Sequence, residues 1–155
     1  MNKILFQEEQ KFNQWWLHLI ILSTIVIIIA SAVAAIQTME DQLAIVGVIA
    51  SCVLGVVFLS SIWIMKLKTT ITEEKIHIHY YPFVKREWLW SDLKMAKVMD
   101  YGFVGGWGIR IWTGMGTVYN VRGSKGLHFK TADKEYVIGT QKEEEMRSSI
   151  AHLLK

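Results

Sequence analysis

Two uncharged runs dominate the pattern of this chain. Residues 12–39 contain no Asp, Glu, Lys or Arg, and residues 42–65 again contain none; only Glu40 and Asp41 separate them. Each run exceeds the ~20 residues that an α-helix needs to cross a ~30 Å hydrocarbon core. The pattern predicts an N-terminal segment over 1–14 and a transmembrane hairpin over 15–65, with helices over about 15–38 and 43–65. Residues 66–155 follow as a domain of different character, long enough for one small core.

After Lys68 the continuous apolar pattern gives way to alternation. Residues 69–72 are rich in β-branched side chains, and Lys75-Ile76-His77-Ile78-His79-Tyr80 has a strict period of two. That period predicts a half-buried strand with Ile76, Ile78 and Tyr80 on one face. Glu73-Glu74 fits a tight turn before it, and Pro82 ends it. A third strand is expected over 86–90, with Trp88 and Trp90 on one face, and a fourth over 95–101. Gly102, Gly105, Gly106 and Gly108 mark a loop. Further strands are expected over 109–112, 118–121, 127–130 and 136–138, separated by glycine-bearing turns and by Ala132-Asp133-Lys134. The last segment reads as a helix. Thr140-Gln141-Lys142-Glu143 has the form of a capping box, with Thr140 as N-cap. Met146, Ile150, Leu153 and Leu154 make an apolar stripe. The fold class expected is α+β: a two-helix transmembrane hairpin, then a bent antiparallel β-barrel of pleckstrin-homology-like form, capped by the C-terminal α-helix.

The layout also resembles that of small bacterial membrane proteins carrying a pleckstrin-homology-like domain. The residues that carry this resemblance are Gly105-Gly106-Trp107-Gly108-Ile109-Arg110, Tyr119-Asn120-Val121-Arg122-Gly123, Lys125-Gly126-Leu127 and Ile138-Gly139-Thr140-Gln141-Lys142. The resemblance implies the fold and the membrane topology, and it names no activity.

Charge adds orientation. The net charge of +3 hides a basic domain, because 15 of the 17 Lys and Arg residues follow Met65. Basic residues are retained on the cytoplasmic side of short loops. Lys3 and Lys11 precede the first helix and Lys66 and Lys68 follow the second, whereas the hairpin loop has none. Both termini are therefore expected in the cytoplasm, with the chain integral to the cytoplasmic membrane. Trp15, Trp16 and Trp63 fall at the same end of the hairpin, where indole rings favour the lipid–water interface. Ala30-Ser31-Ala32-Val33-Ala34-Ala35 has the small residues of a signal-peptidase site, but Glu8 and Glu9 in the leader and the long apolar run oppose cleavage. Ala30 and Ala34 on the first helix, with Gly47, Ser51 and Gly55 on the second, repeat small residues at helical spacing. They suit close helix contact within the hairpin or with a second copy. Cys52 is the only cysteine and reads as a buried thiol. His18 reads as an interfacial, hydrogen-bonded histidine.

Candidate chemistry is sparse. Lys66 and Lys68 adjoin the membrane, and Arg122 and Lys125 flank a glycine turn, so these four are the candidates for anionic headgroups. His77 and His79 leave one strand on the same side, and His128 is the other histidine of the strand region. A metal site built on these three is the alternative reading, that of a metal-dependent enzyme. No serine occupies a nucleophile elbow, and the glycine loops match neither a P-loop nor a dinucleotide fingerprint. No cofactor is implied, and the basic excess is too small to point to nucleic acid. The sequence thus predicts a non-enzymatic, membrane-anchored module that binds lipid headgroups or a protein partner at the cytoplasmic leaflet.

Overall fold

The computed structural model describes residues 3–154. They divide into two compact units: residues 12–64, and the flanking segments before and after them.

The first unit is a helical hairpin. Helix α1 spans Trp15–Ile36 and α2 spans Gln42–Ser60, extended by a 3-10 turn over Ser61–Ile64. Both are long and apolar enough to cross a membrane, and almost none of their surface is buried within the protein. The charged pair Glu40-Asp41 falls in the connecting turn. Asp41 caps α2, its Oδ1 accepting the Leu43 amide at 3.0 Å, which satisfies one of the free amides of a helix start. At the other end of the hairpin the Trp63 indole donates to His18 Nδ1 at 2.9 Å. This bond holds Trp63 beside the start of α1, the same end as Trp15 and Trp16.

The second unit holds all nine strands of the described residues. Its first sheet runs in the order β1 (Ile4–Lys11), β2 (Lys66–Thr72), β3 (Lys75–Tyr81), β4 (Val84–Leu89), each pair antiparallel. The second comprises β5 (Met95–Asp100), β6 (Gly108–Thr113), β7 (Gly116–Asn120), β8 (Lys125–Lys130) and β9 (Glu135–Gly139), in the order β5-β8-β9-β7-β6. The alternation in the sequence sets the faces. Leu67 and Ile71 on β2, and Ile76, Ile78 and Tyr80 on β3, are wholly buried, and so are Leu127, Phe129, Val137 and Ile138 of the second sheet. Trp88 of β4 joins the two layers, its ring centroid 5.1 Å from Phe129 and 4.9 Å from Tyr136.

Several expectations are corrected. The N-terminal segment is not merely a leader: residues Ile4–Lys11 form the edge strand of the first sheet. The two sheets do not close into one barrel, and β7 and β9 pair in parallel rather than antiparallel fashion. Trp90 does not share a strand face with Trp88. It sits in a 3-10 turn over Trp90–Asp92, its indole donating to the Thr72 carbonyl at 3.0 Å. Helix α3 is short, Glu143–Ser149, and the capping box does not form. Thr140 Oγ1 does accept the Lys142 amide at 3.0 Å and its hydroxyl donates to Glu8 Oε2 at 2.6 Å, but Glu143 pairs with Lys125 and Arg147 rather than reaching back. Met146 and Ile150 are fully buried where α3 lies against β1 and β5. Leu153 and Leu154 lie past the helix and are only half-buried.

Candidate functional site

The solvent face of the first sheet collects most of the chemistry. With Leu67, Ile76, Ile78 and Tyr80 turned inward, a period of two turns Lys66, Lys68, Lys75, His77, His79 and Lys85 outward. The strand register aligns them in rows. One row reads Glu9, Lys68, His79, Lys85 across β1 to β4; the next reads Gln7, Thr70, His77, Glu87. A cleft of about 310 Å³ opens on this face, lined by Lys68, Thr70, Thr72, Lys75, His77, His79 and Glu87.

Electrostatics divide this face. Glu9 is taken by Lys66 at 3.2 Å and Lys11 at 3.3 Å, and these cations hold its carboxyl below the usual range. Glu87 is taken by Lys75 at 2.7 Å, with His77 at 3.9 Å, and is likewise lowered. Burial, then the positive charges of Lys85, His77, Lys66 and Lys68, pushes His79 below the ordinary histidine range. That ring is a probe of its surroundings: more positive than negative charge reaches it.

The four lysine and arginine candidates from the sequence do not form one patch. Lys66 and Lys68 lie on β2 of the first sheet. Lys125 begins β8 in the second sheet and is held by Glu143 at 2.6 Å, which raises its pKa. Arg122 lies in the β7–β8 turn, its carbonyl accepting from the Gln141 side chain. Nor do the three histidines converge. His128 is on β8, buried, with Nε2 3.2 Å from Glu135, whose other oxygen meets Lys130. Among the described residues no cluster of three metal-ligating side chains occurs. Within the hairpin unit, Ser51 and Gly55 face Ile28, Ser31, Ala32 and Ala35 across an interhelical gap that Cys52 also lines. Ala30 and Ala34 lie exposed, off this gap, and a side chain on Gly47 would meet nothing within 4 Å.

Two further features escaped the sequence. The first is a buried polar network at the motif residues. Asn120 Oδ1 accepts the Gly108 amide at 3.0 Å, its amide donates to the Tyr101 hydroxyl at 3.2 Å, and its carbonyl accepts from the Tyr80 hydroxyl at 3.3 Å. Gly108 has φ +110°, a backbone conformation that glycine adopts at little cost. The second is the exposure of two aromatic side chains, Phe103 on the loop before β6 and Trp112 near the end of that edge strand, the latter 96% exposed. A cleft of about 430 Å³ is lined by Phe103, Val104, Trp107 and Asn120 among others. The row Lys68–His79–Lys85 did leave a signal in the sequence. A tight turn at Tyr81-Pro82-Phe83 between two alternating runs sets His79 opposite Lys85. Comparison with protein-family models, with curated proteins and with solved structures finds no match to this chain.

Proposed function

We propose that this chain is a non-enzymatic interaction module, anchored in the cytoplasmic membrane by α1 and α2, whose β-domain works at the cytoplasmic leaflet. The observation that carries the reading is the join between the two units. β1 ends at Lys11, three residues before α1, and β2 begins at Lys66, one residue after the α2 extension. Lys11 and Lys66 are register partners on adjacent strands. Three residues reach at most ~11 Å, so the lysine-bearing ends of β1 and β2 are tethered close to the headgroups. Each basic residue near an anionic leaflet adds ~1 kcal/mol of attraction. The basic residues Lys3, Lys11, Lys66 and Lys68 favour this side for both termini. A relationship to the bacterial pleckstrin-homology-like domains is part of the proposal. It is supported by the antiparallel run β1–β4, the terminal helix and the gathering of Gly108 with Asn120 from two of the motif segments.

Anionic lipid is the ligand that the tethered lysines favour. A protein segment is the second reading, favoured by the exposed Phe103 and Trp112 beside the unpaired edge of β6. Reporter fusions after residue 155 and within the 37–41 turn test the placement. A cytoplasmic C-terminus and an external turn are expected. An external C-terminus overturns the leaflet reading.

A further inference from the structure

We propose that the solvent face of β2, β3 and β4 is a binding site for a phosphate-class anion, seated on the cross-strand row Lys68–His79–Lys85. Like charges directly opposite one another destabilise a sheet, so basic groups on three adjacent strands ask for a counter-charge. The sheet places one only at its β1 end, where Glu9 stands opposite Lys68. Glu9 is committed to Lys11 and Lys66, and Glu87 to Lys75. Among the described residues no carboxylate forms an ion pair with Lys68 or Lys85. The cleft beside the row is open and adds the Thr70 position to the lining. A phosphate group matches this arrangement, because phosphodiesters and free phosphate alike carry full negative charge near neutrality and several strong acceptor oxygens.

The ring at the centre of the row makes the site sensitive to acid. His79 faces Lys66 and Lys68 from β2, His77 and Tyr81 on its own strand, and Lys85 and Glu87 from β4; Glu9 of β1 completes the row. In the free protein its surroundings disfavour the imidazolium. A bound anion reverses that balance, so the pKa of His79 is higher in the complex than in the free protein. For an anion whose own charge is constant in this range, such as a phosphodiester, binding then tightens as the pH falls through the histidine range and levels off once the free ring is itself protonated. A membrane phosphodiester and free phosphate share this chemistry. The lipid source rests on the leaflet placement proposed above; the phosphate source does not.

The test follows the His79 ring by NMR in the full chain. One arm holds the protein in a neutral detergent and adds inorganic phosphate, with sodium chloride at matched ionic strength as the control for screening. The other compares nanodiscs of phosphatidylcholine with nanodiscs containing phosphatidylglycerol. An upward shift of the His79 titration in either arm, beyond the chloride control, supports the site, and the arm that responds identifies the source. Lys68→Gln and Lys85→Gln are each expected to weaken binding roughly fivefold, whereas Lys125→Gln leaves it unchanged. His79→Gln is expected to flatten the pH profile. Matched circular dichroism spectra of the variants exclude misfolding. No shift in either arm, or equal losses from Lys125→Gln, overturns the proposal. A shift with phosphate together with an external C-terminus keeps the site and removes the leaflet reading.

Discussion

Glu8 is the residue whose environment differs most from its appearance in the sequence. Beside Glu9 it looks like half of a solvated acidic pair. The alternation of β1 sends Glu9 outward to the lysines and Glu8 inward, to 5% exposure. There its carboxylate accepts the Thr140 hydroxyl at 2.6 Å and the Gln141 amide at 2.9 Å, while Gln10 donates to the Gly139 carbonyl at 2.7 Å. One short strand thus satisfies the polar groups of the β9–α3 junction. Hydrogen bonds to a charged group contribute ~1.5–3 kcal/mol each, and orphaned partners cost more. Glu8→Ala is expected to lower stability by ~2–4 kcal/mol, and Glu8→Gln by less, because the amide keeps one acceptor. Chemical denaturation of the full chain in detergent, read by tryptophan fluorescence, measures both. Equal stability of Glu8→Ala and the parent would remove the latch. Nothing in the sequence distinguishes Glu8 from Glu9 until the strand is recognised. Eight residues that include two glutamates and a lysine carry too little hydrophobic signal for that.

Elements were legible in proportion to the strictness of their period. The β3 alternation predicted both its bounds and its inward face, and the strands at 127–130 and 136–138 lie within β8 and β9. Pairing was not legible, because a period of two says which face is buried and not which strand lies alongside. Hence the parallel β7–β9 pair was missed. Close packing constrains it: a side chain on Gly116 of β7 would collide with the Glu135 carbonyl of β9. At the C-terminus the apolar stripe was read correctly at Met146 and Ile150, while the helix proved shorter than its stripe. With seven residues it is below the length at which a helix holds itself together, so the buried side chains of Met146 and of the C-cap residue Ile150 must anchor it. Full burial of one such side chain contributes ~1.5–3 kcal/mol, and a carboxylate in its place adds a desolvation cost. Ile150→Asp is expected to abolish the cooperative melt of the β-domain and leave α1 and α2 inserted, as judged by carbonate extraction of membranes. An unchanged melt would mean that Ile150 does not anchor the helix.

At the scale of the whole molecule, the apolar helical hairpin is an insertion within the first sheet. β1 and β2 are neighbours in space, yet α1 and α2 lie between them in the chain. A division of the chain into hairpin and C-terminal domain therefore cuts the sheet. The fragment 66–155 would leave the inner edge of β2 unpaired along its length, expose Phe6's share of the core, and strip Thr140 and Gln141 of their acceptor. An unpaired strand edge is also a template for association between chains. This fragment is expected to aggregate or to lack a cooperative thermal transition. A chain in which residues 1–11 are joined to 66–155 by a short turn should fold, since Lys11 and Lys66 are register partners and a turn of two to five residues is the usual length for such a join. Differential scanning calorimetry of the two chains decides the matter. A single sharp transition in the joined chain, absent from the fragment, assigns β1 to the domain. Equal transitions in both would show that the sheet does not need its first strand, and that the hairpin is appended to the domain rather than threaded through it.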